Sequence, residues 1–109
     1  MTRITLRIDF DENRALGPGK VRLLELLGET GSISGAGRAM GMSYRRAWLL
    51  IDALNHTFRQ PVVQTRGGGG GADLTAFGTA LVANYRAMER ETRETLAHRI
   101  LELEAGLAA

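Results

Sequence analysis

A mostly α-helical domain carrying one small β-hairpin is the fold class this sequence predicts, and three observations predict it. Apolar residues recur at helical spacing in successive stretches from Lys20 onward. Strict two-residue alternation appears in the N-terminal segment. Five consecutive glycines, Gly67 to Gly71, separate two short apolar stretches as the loop of a hairpin would.

At 109 residues, with 44% apolar and 24% charged side chains, the chain reads as a single domain over 1–109 with a real core. There is no cysteine, which excludes a disulfide framework, a thiolate metal site and a cysteine nucleophile. No apolar run approaches the ~20 residues of a membrane span, and the polar, alternating N-terminus is unlike a signal peptide. A cytoplasmic protein without membrane contact is expected.

The elements follow in order. Arg3-Ile4-Thr5-Leu6-Arg7-Ile8-Asp9-Phe10 alternates polar and apolar side chains, the pattern of a strand with one buried face. Gly17-Pro18-Gly19 breaks the chain and leads into a first helix from about Lys20 to Glu29, with Val21, Leu23, Leu24, Leu26 and Leu27 on its apolar side. Ser32 reads as the cap of a short second helix, roughly Ile33 to Met40. Glycine costs about 0.8–1.0 kcal/mol per helical position relative to alanine. Gly35 and Gly37 therefore need a reason, and close approach of a following helix supplies one. Gly41 sits where a tight turn requires positive φ.

Ser43 caps a third helix reaching about Thr57, and Ala47, Leu50, Ile51, Leu54 and Phe58 share its core face. Tyr44, Arg45, Trp48 and Asp52 lie towards the opposite side, with Arg46 on a flank. Two helices joined by a short glycine-containing turn, the second bearing arginines and aromatics at its free N-terminal end, make a helix-turn-helix. Pro61 to Thr65, the glycine run and Ala72-Asp73-Leu74 then form the hairpin, or wing.

Thr75 caps a last helix of about residues 76–105. Leu81, Tyr85, Met88, Leu96, Ile100 and Leu103 recur along it at spacings that keep one face. The stretch from Ala76 to Leu103, some 28 residues, spans about 42 Å as a helix, more than the body formed by residues 1–75, whose radius of gyration should be about 11–12 Å. The far half of the apolar stripe is therefore expected to meet a partner, and these six residues are the dimerisation candidates.

Charge supports a polyanion-binding middle third. Residues 32–74 hold five arginines against two aspartates, whereas residues 1–31 balance five basic with five acidic side chains. Residues 75–109 carry four arginines and five glutamates, so the whole-chain sum of +2 conceals the local excess.

Gly31-Ser32-Ile33-Ser34-Gly35-Ala36, Met42-Ser43-Tyr44-Arg45-Arg46-Ala47-Trp48 and the hairpin end Gly70-Gly71-Ala72-Asp73-Leu74-Thr75 together resemble the DNA-binding domain of the molybdate-responsive regulator (ModE) family. The likeness covers about residues 4–95; more remotely, the chain looks like the winged domain of LysR-type regulators. The resemblance implies a winged helix-turn-helix homodimer, held by the long C-terminal helix, on an operator of approximate two-fold symmetry. Two departures stand out. Family members carry C-terminal oxyanion-binding domains for which these 109 residues leave no room. The wing also lacks a basic residue among its glycines, leaving only Arg66 at its base.

In that arrangement the third helix lies in the major groove. Arg45 is the leading base contact, because a guanidinium bonds bidentately to guanine O6 and N7. Tyr44 and Arg46 reach a base or a phosphate, depending on helix tilt, and Ser43 stands at the same end. Trp48 is placed beside the exposed stripe, although a lone tryptophan is more often core. Ser32 and Ser34 donate to a phosphate or simply cap their helix. Arg38 is a further phosphate candidate, and Arg66, Gly67, Gly68 and Gly69 are the wing's candidates.

Other chemistries find less support. A phosphate-binding P-loop needs a lysine and a serine or threonine directly after its glycines, where this chain has Ala72-Asp73-Leu74. His56 and His98 have no metal-ligand or catalytic spacing, Met40 and Met42 read as packing around the helix turn, and no triad or paired-acid arrangement stands out. The expectation is a transcriptional regulator with no enzymatic activity and no cofactor, whose partners are double-stranded DNA and a second copy. The alternative is a protein-interaction module that pairs through its long helix with a full-length regulator and modulates it.

Overall fold

The computed structural model describes residues 1–67 and 71–109, so the wing candidates Gly68 and Gly69 lie outside the described residues. In chain order the elements are β1 (Ile8–Asp9), β2 (Ala15–Leu16), α1 (Pro18–Thr30), α2 (Ile33–Ala39), α3 (Tyr44–Thr57), β3 (Val63–Thr65), β4 (Ala72–Leu74) and α4 (Ala76–Ala105). Both strand pairs are antiparallel: Ile8 faces Leu16 in the first, and Val63 faces Leu74 in the second. The mostly α-helical, winged architecture is the one the sequence predicts.

The caps are local and legible. Ser32 Oγ accepts from Gly35 N at 2.8 Å, Ser43 Oγ from Arg46 N at 3.1 Å and Thr75 Oγ1 from Gly78 N at 2.9 Å. Each satisfies one of the amide groups that a helix start leaves without an intrahelical partner. Gly41 has φ 70°, which allows the chain to reverse between α2 and α3. A Cβ on Gly37 would stand 2.9 Å from that of Ala47, so glycine there does let α3 cross close to α2.

Five α1 residues, Val21, Leu23, Leu24, Leu26 and Leu27, form the centre of the core. Ile33 and Ala36 from α2, Ala47, Ile51 and Leu54 from α3, and Val62, Val63 and Ala72 from the wing close around them. Met40 and Met42 pack against this cluster from the turn. The core does not stop at residue 75, for Leu81 and Tyr85 of α4 belong to it.

That last fact places two of the six dimerisation candidates, Leu81 and Tyr85, in the core of their own chain. Tyr85 is fully buried and Leu81 nearly so, within their own chain. A side chain with no exposed surface cannot meet a second subunit. Met88 is half-buried and packs on the same cluster. The N-terminal segment is also shorter as a strand than the alternation predicts, with pairing confined to Ile8 and Asp9. Upstream, the chain runs along α4: Tyr85 Oη donates to the Leu6 carbonyl at 2.6 Å, and Thr2 Oγ1 donates to Glu104 at 2.5 Å. Period-2 alternation reports a half-buried extended chain, and here the surface beneath it is a helix instead of a sheet.

α4 leaves the body as a projecting arm. The radius of gyration is 16.5 Å and the longest dimension 57 Å, against about 13 Å expected for a compact chain of this length. Leu101 and Leu103 at its far end, and Leu107 just beyond it, are 64–72% exposed. Among the described residues, no helix is long and apolar enough to cross a membrane.

Candidate nucleic-acid interface

α3 is held by its inner face and presents its outer face without cover. Ala47, Ile51 and Leu54 are buried, which fixes the rotation of the helix about its axis. The opposite side carries Tyr44, Arg45, Trp48 and Leu49, all exposed. The large apolar members are exposed to 58% at Tyr44, 44% at Trp48 and 49% at Leu49. Tyr44, Arg45 and Trp48 line one shallow surface depression together. Trp48 is thus outside the core, on the same face as Arg45.

Leu49 was absent from the sequence reading. It follows Arg45 by four positions, so helical geometry sets the two side by side. The signal was available in that spacing, but a leucine inside an amphipathic helix is read first as core.

Arg45 and Arg46 are exposed, and among the described residues neither side chain has an intramolecular ion pair. Arg38 and Ser34 sit on the outer side of α2, with Arg38 Nη2 3.5 Å from Ser34 Oγ. Ser32 is half-buried with its oxygen engaged in the cap, while Ser43 is exposed at the start of α3. The hydroxyl candidates therefore stand at the starts of α2 and α3, with Arg45 and Arg46 in the first turn of α3 and Arg38 in the last turn of α2.

Arg66 has a different setting. Its Nη2 donates to the Gly31 carbonyl at 3.0 Å, and its Nε lies 3.4 Å from the Asp73 carboxylate. The Ala72 amide donates to the same Gly31 carbonyl at 2.9 Å. These contacts tie the base of the wing to the junction of α1 and α2. Arg66 is a brace of the hairpin, with its side chain still 57% exposed, and Gly67 beside it is exposed.

Asn55 is a second brace that the sequence concealed among the polar residues of α3. Its Oδ1 accepts from Val62 N at 2.8 Å and Val63 N at 3.0 Å, and its Nδ2 donates to the Val63 carbonyl at 3.1 Å. One side chain thereby joins the end of α3 to the start of the wing. No local spacing announces such a role, because the partners are backbone groups beyond a turn.

The first half of α4 is locked by charge as well as by packing. Arg86 donates to both Glu25 oxygens, Nε at 3.0 Å and Nη2 at 2.7 Å, and to Glu89 at 2.7 Å. The Arg86 guanidinium holds the Glu25 carboxyl below the ordinary carboxylate range. Its own ionisation is pushed further up by hydrogen bonds to Glu25 and then Glu89. This fork belongs to the scaffold and lies outside the α2–α3 face.

Residues 19–79 match the family described as bacterial regulatory helix-turn-helix protein, lysR family. The chain is 38% identical over 107 residues to the molybdenum transport protein ModE of Azotobacter vinelandii, across 93% of this chain and 40% of that protein. It is 34% identical over 85 residues to the DNA-binding transcriptional dual regulator ModE of Escherichia coli (strain K12), across 75% of this chain and 32% of that one. It therefore spans two fifths or less of these curated relatives. The crystal structure of a CbnR DBD–DNA complex is similar in fold, with a TM-score of 0.60 at 19% identity over 77% of this chain and 95% of that chain.

Proposed function

We propose that this chain, which belongs to the lysR family of bacterial regulatory helix-turn-helix proteins, binds double-stranded DNA in a sequence-selective way as a homodimer. One observation carries the reading: the outer face at the start of α3 presents Arg45 and Arg46 beside Tyr44, Trp48 and Leu49, while its inner face is fixed in the core. Charge at the rim of a rigid helix supplies phosphate attraction, and the side chains at its centre supply base choice. Arg45 is assigned to a guanine edge, Arg46 and Arg38 to backbone phosphate, and the hydroxyls of Ser34 and Ser43 to the same backbone. Ser32 contributes through its cap, and Arg66 with Gly67 holds the wing where it reaches the adjacent groove.

Pairing is assigned to the far part of α4, where Leu96 and Ile100 are half-buried and Leu103 is exposed. The dimer stripe is correspondingly shorter than the six-residue series and begins beyond Tyr85. Similarity to proteins named ModE supports a regulator of molybdenum-related genes.

Purified protein should enrich genomic fragments that share a two-fold motif, with affinity falling steeply as salt rises. Replacing Arg45 with alanine should cost about 1–3 kcal/mol per half-site on the selected duplex and relax choice at one base pair in each half-site. Retention of full affinity and selectivity by Arg45→Ala would remove α3 from the major groove. A mass measurement showing mixed dimers with a full-length relative in place of homodimers would favour the interaction-module alternative.

A further inference from the structure

We infer that the DNA-facing surface continues from α3 onto the start of α1, where Lys20 is a sequence-independent backbone-phosphate contact. The inference rests on the DNA-binding reading above and adds an element that the α2–α3 face does not contain.

A cleft of about 460 Å³ lies between the start of α1 and the turn that joins α2 to α3. Arg46, Lys20 and Arg7 line it, and no carboxylate is among its lining residues. Met40, Met42 and Leu50 supply an apolar wall. A nucleic-acid backbone offers the complement of that surface, since an anionic phosphate alternates with the weakly polar face of each deoxyribose. Arg46 belongs at once to this cleft and to the first turn of α3. A strand whose phosphate meets Arg46 therefore continues along the cleft.

The three cations are not equivalent. Arg7 Nε lies 2.9 Å from the Asp9 carboxylate, so its charge is already balanced within the N-terminal segment. Lys20 is half-buried, and its Nζ donates to the Ala15 carbonyl at 3.0 Å. That bond fixes the ammonium at the cleft and leaves two of its three donors for an incoming oxygen. A positioned cation loses less side-chain freedom on binding than one on a free stem.

The test compares wild type, Lys20→Gln and Lys20→Arg by fluorescence anisotropy, on the selected duplex and on a random one, across a salt series. Lys20→Gln should weaken binding by about 3- to 10-fold on both duplexes and reduce the slope of log K against log salt by about two, about one for each Lys20 of the homodimer. Lys20→Arg should restore both, because a contact to phosphate needs only the cation. If wild type binds with a steep slope and Lys20→Gln leaves affinity and slope unchanged, the inference is overturned while the α3 assignment stands. Loss confined to the selected duplex also overturns it, since a backbone contact acts on every sequence. Should wild type bind neither duplex, the DNA-binding reading and this extension fall together.

Discussion

Along α4, Gly78, Leu81 and Tyr85 are buried against the rest of the chain, whereas Leu101 and Leu103 are largely exposed on the same helix. The first half is crossed by the wing, forked to α1 by Arg86 and bonded to the N-terminal segment by Tyr85. The last turns have the Thr2–Glu104 contact and a shallow groove in which Ile4 and Ile100 take part. The comparison teaches that one apolar stripe has two environments. Its near part completes the core of its own chain, and its far part is left largely exposed.

The largest expected effect lies at Gly78. A Cβ there would stand 2.1 Å from the Val62 carbonyl oxygen. That oxygen cannot withdraw freely, because it accepts from Thr75 N at 3.0 Å. Gly78→Ala gains about 1 kcal/mol in helix propensity, yet should destabilise the chain by about 3 kcal/mol or more through this backbone collision. Urea unfolding measures the difference, and a variant as stable as wild type would break the picture of a near half clamped under the wing.

Arg86→Ala should come next. Near neutral pH, loss of the fork should cost about 1.5–3 kcal/mol, since it strands the part-buried carboxylates of Glu25 and Glu89. Because Glu25 is held below its ordinary value in the folded chain, its contribution is present above the unfolded carboxylate pKa, about 4.3. It is lost as pH falls through the lower folded value. Stability curves of wild type and variant should therefore converge in acid, and a gap independent of pH would assign the fork to packing alone.

The smallest effect is expected from Leu103→Ala. On the fold of one chain it should change stability by no more than about 0.5 kcal/mol. Sedimentation should nonetheless show a weaker homodimer, which separates the far half from the near half by readout instead of by size. Unchanged association would place the dimer contact elsewhere on the chain.

Much of this molecule was legible one residue at a time. Ser32, Ser43 and Thr75 announce helix starts because a cap depends on atoms within three residues. Gly37 and Gly41 announce a tight helix pair for the same local reason. The exposed face of α3 followed from 3.6-residue periodicity, which placed Arg45 and Trp48 away from Ala47 and Ile51. Leu49 escaped because hydrophobicity alone does not say which side of an apolar residue meets water.

Sequence by itself thus determined the order of elements, their caps and the face of α3 that is left open, all consequences of short-range geometry. Tertiary structure decided what lies across from each surface. It buried Leu81 and Tyr85 within their own chain, laid the N-terminal segment on α4, turned Arg66 and Asn55 into braces of the wing and brought Lys20 beside Arg46. Those pairings join residues from separate elements, and periodicity records only which side of an element is apolar, not what will cover it.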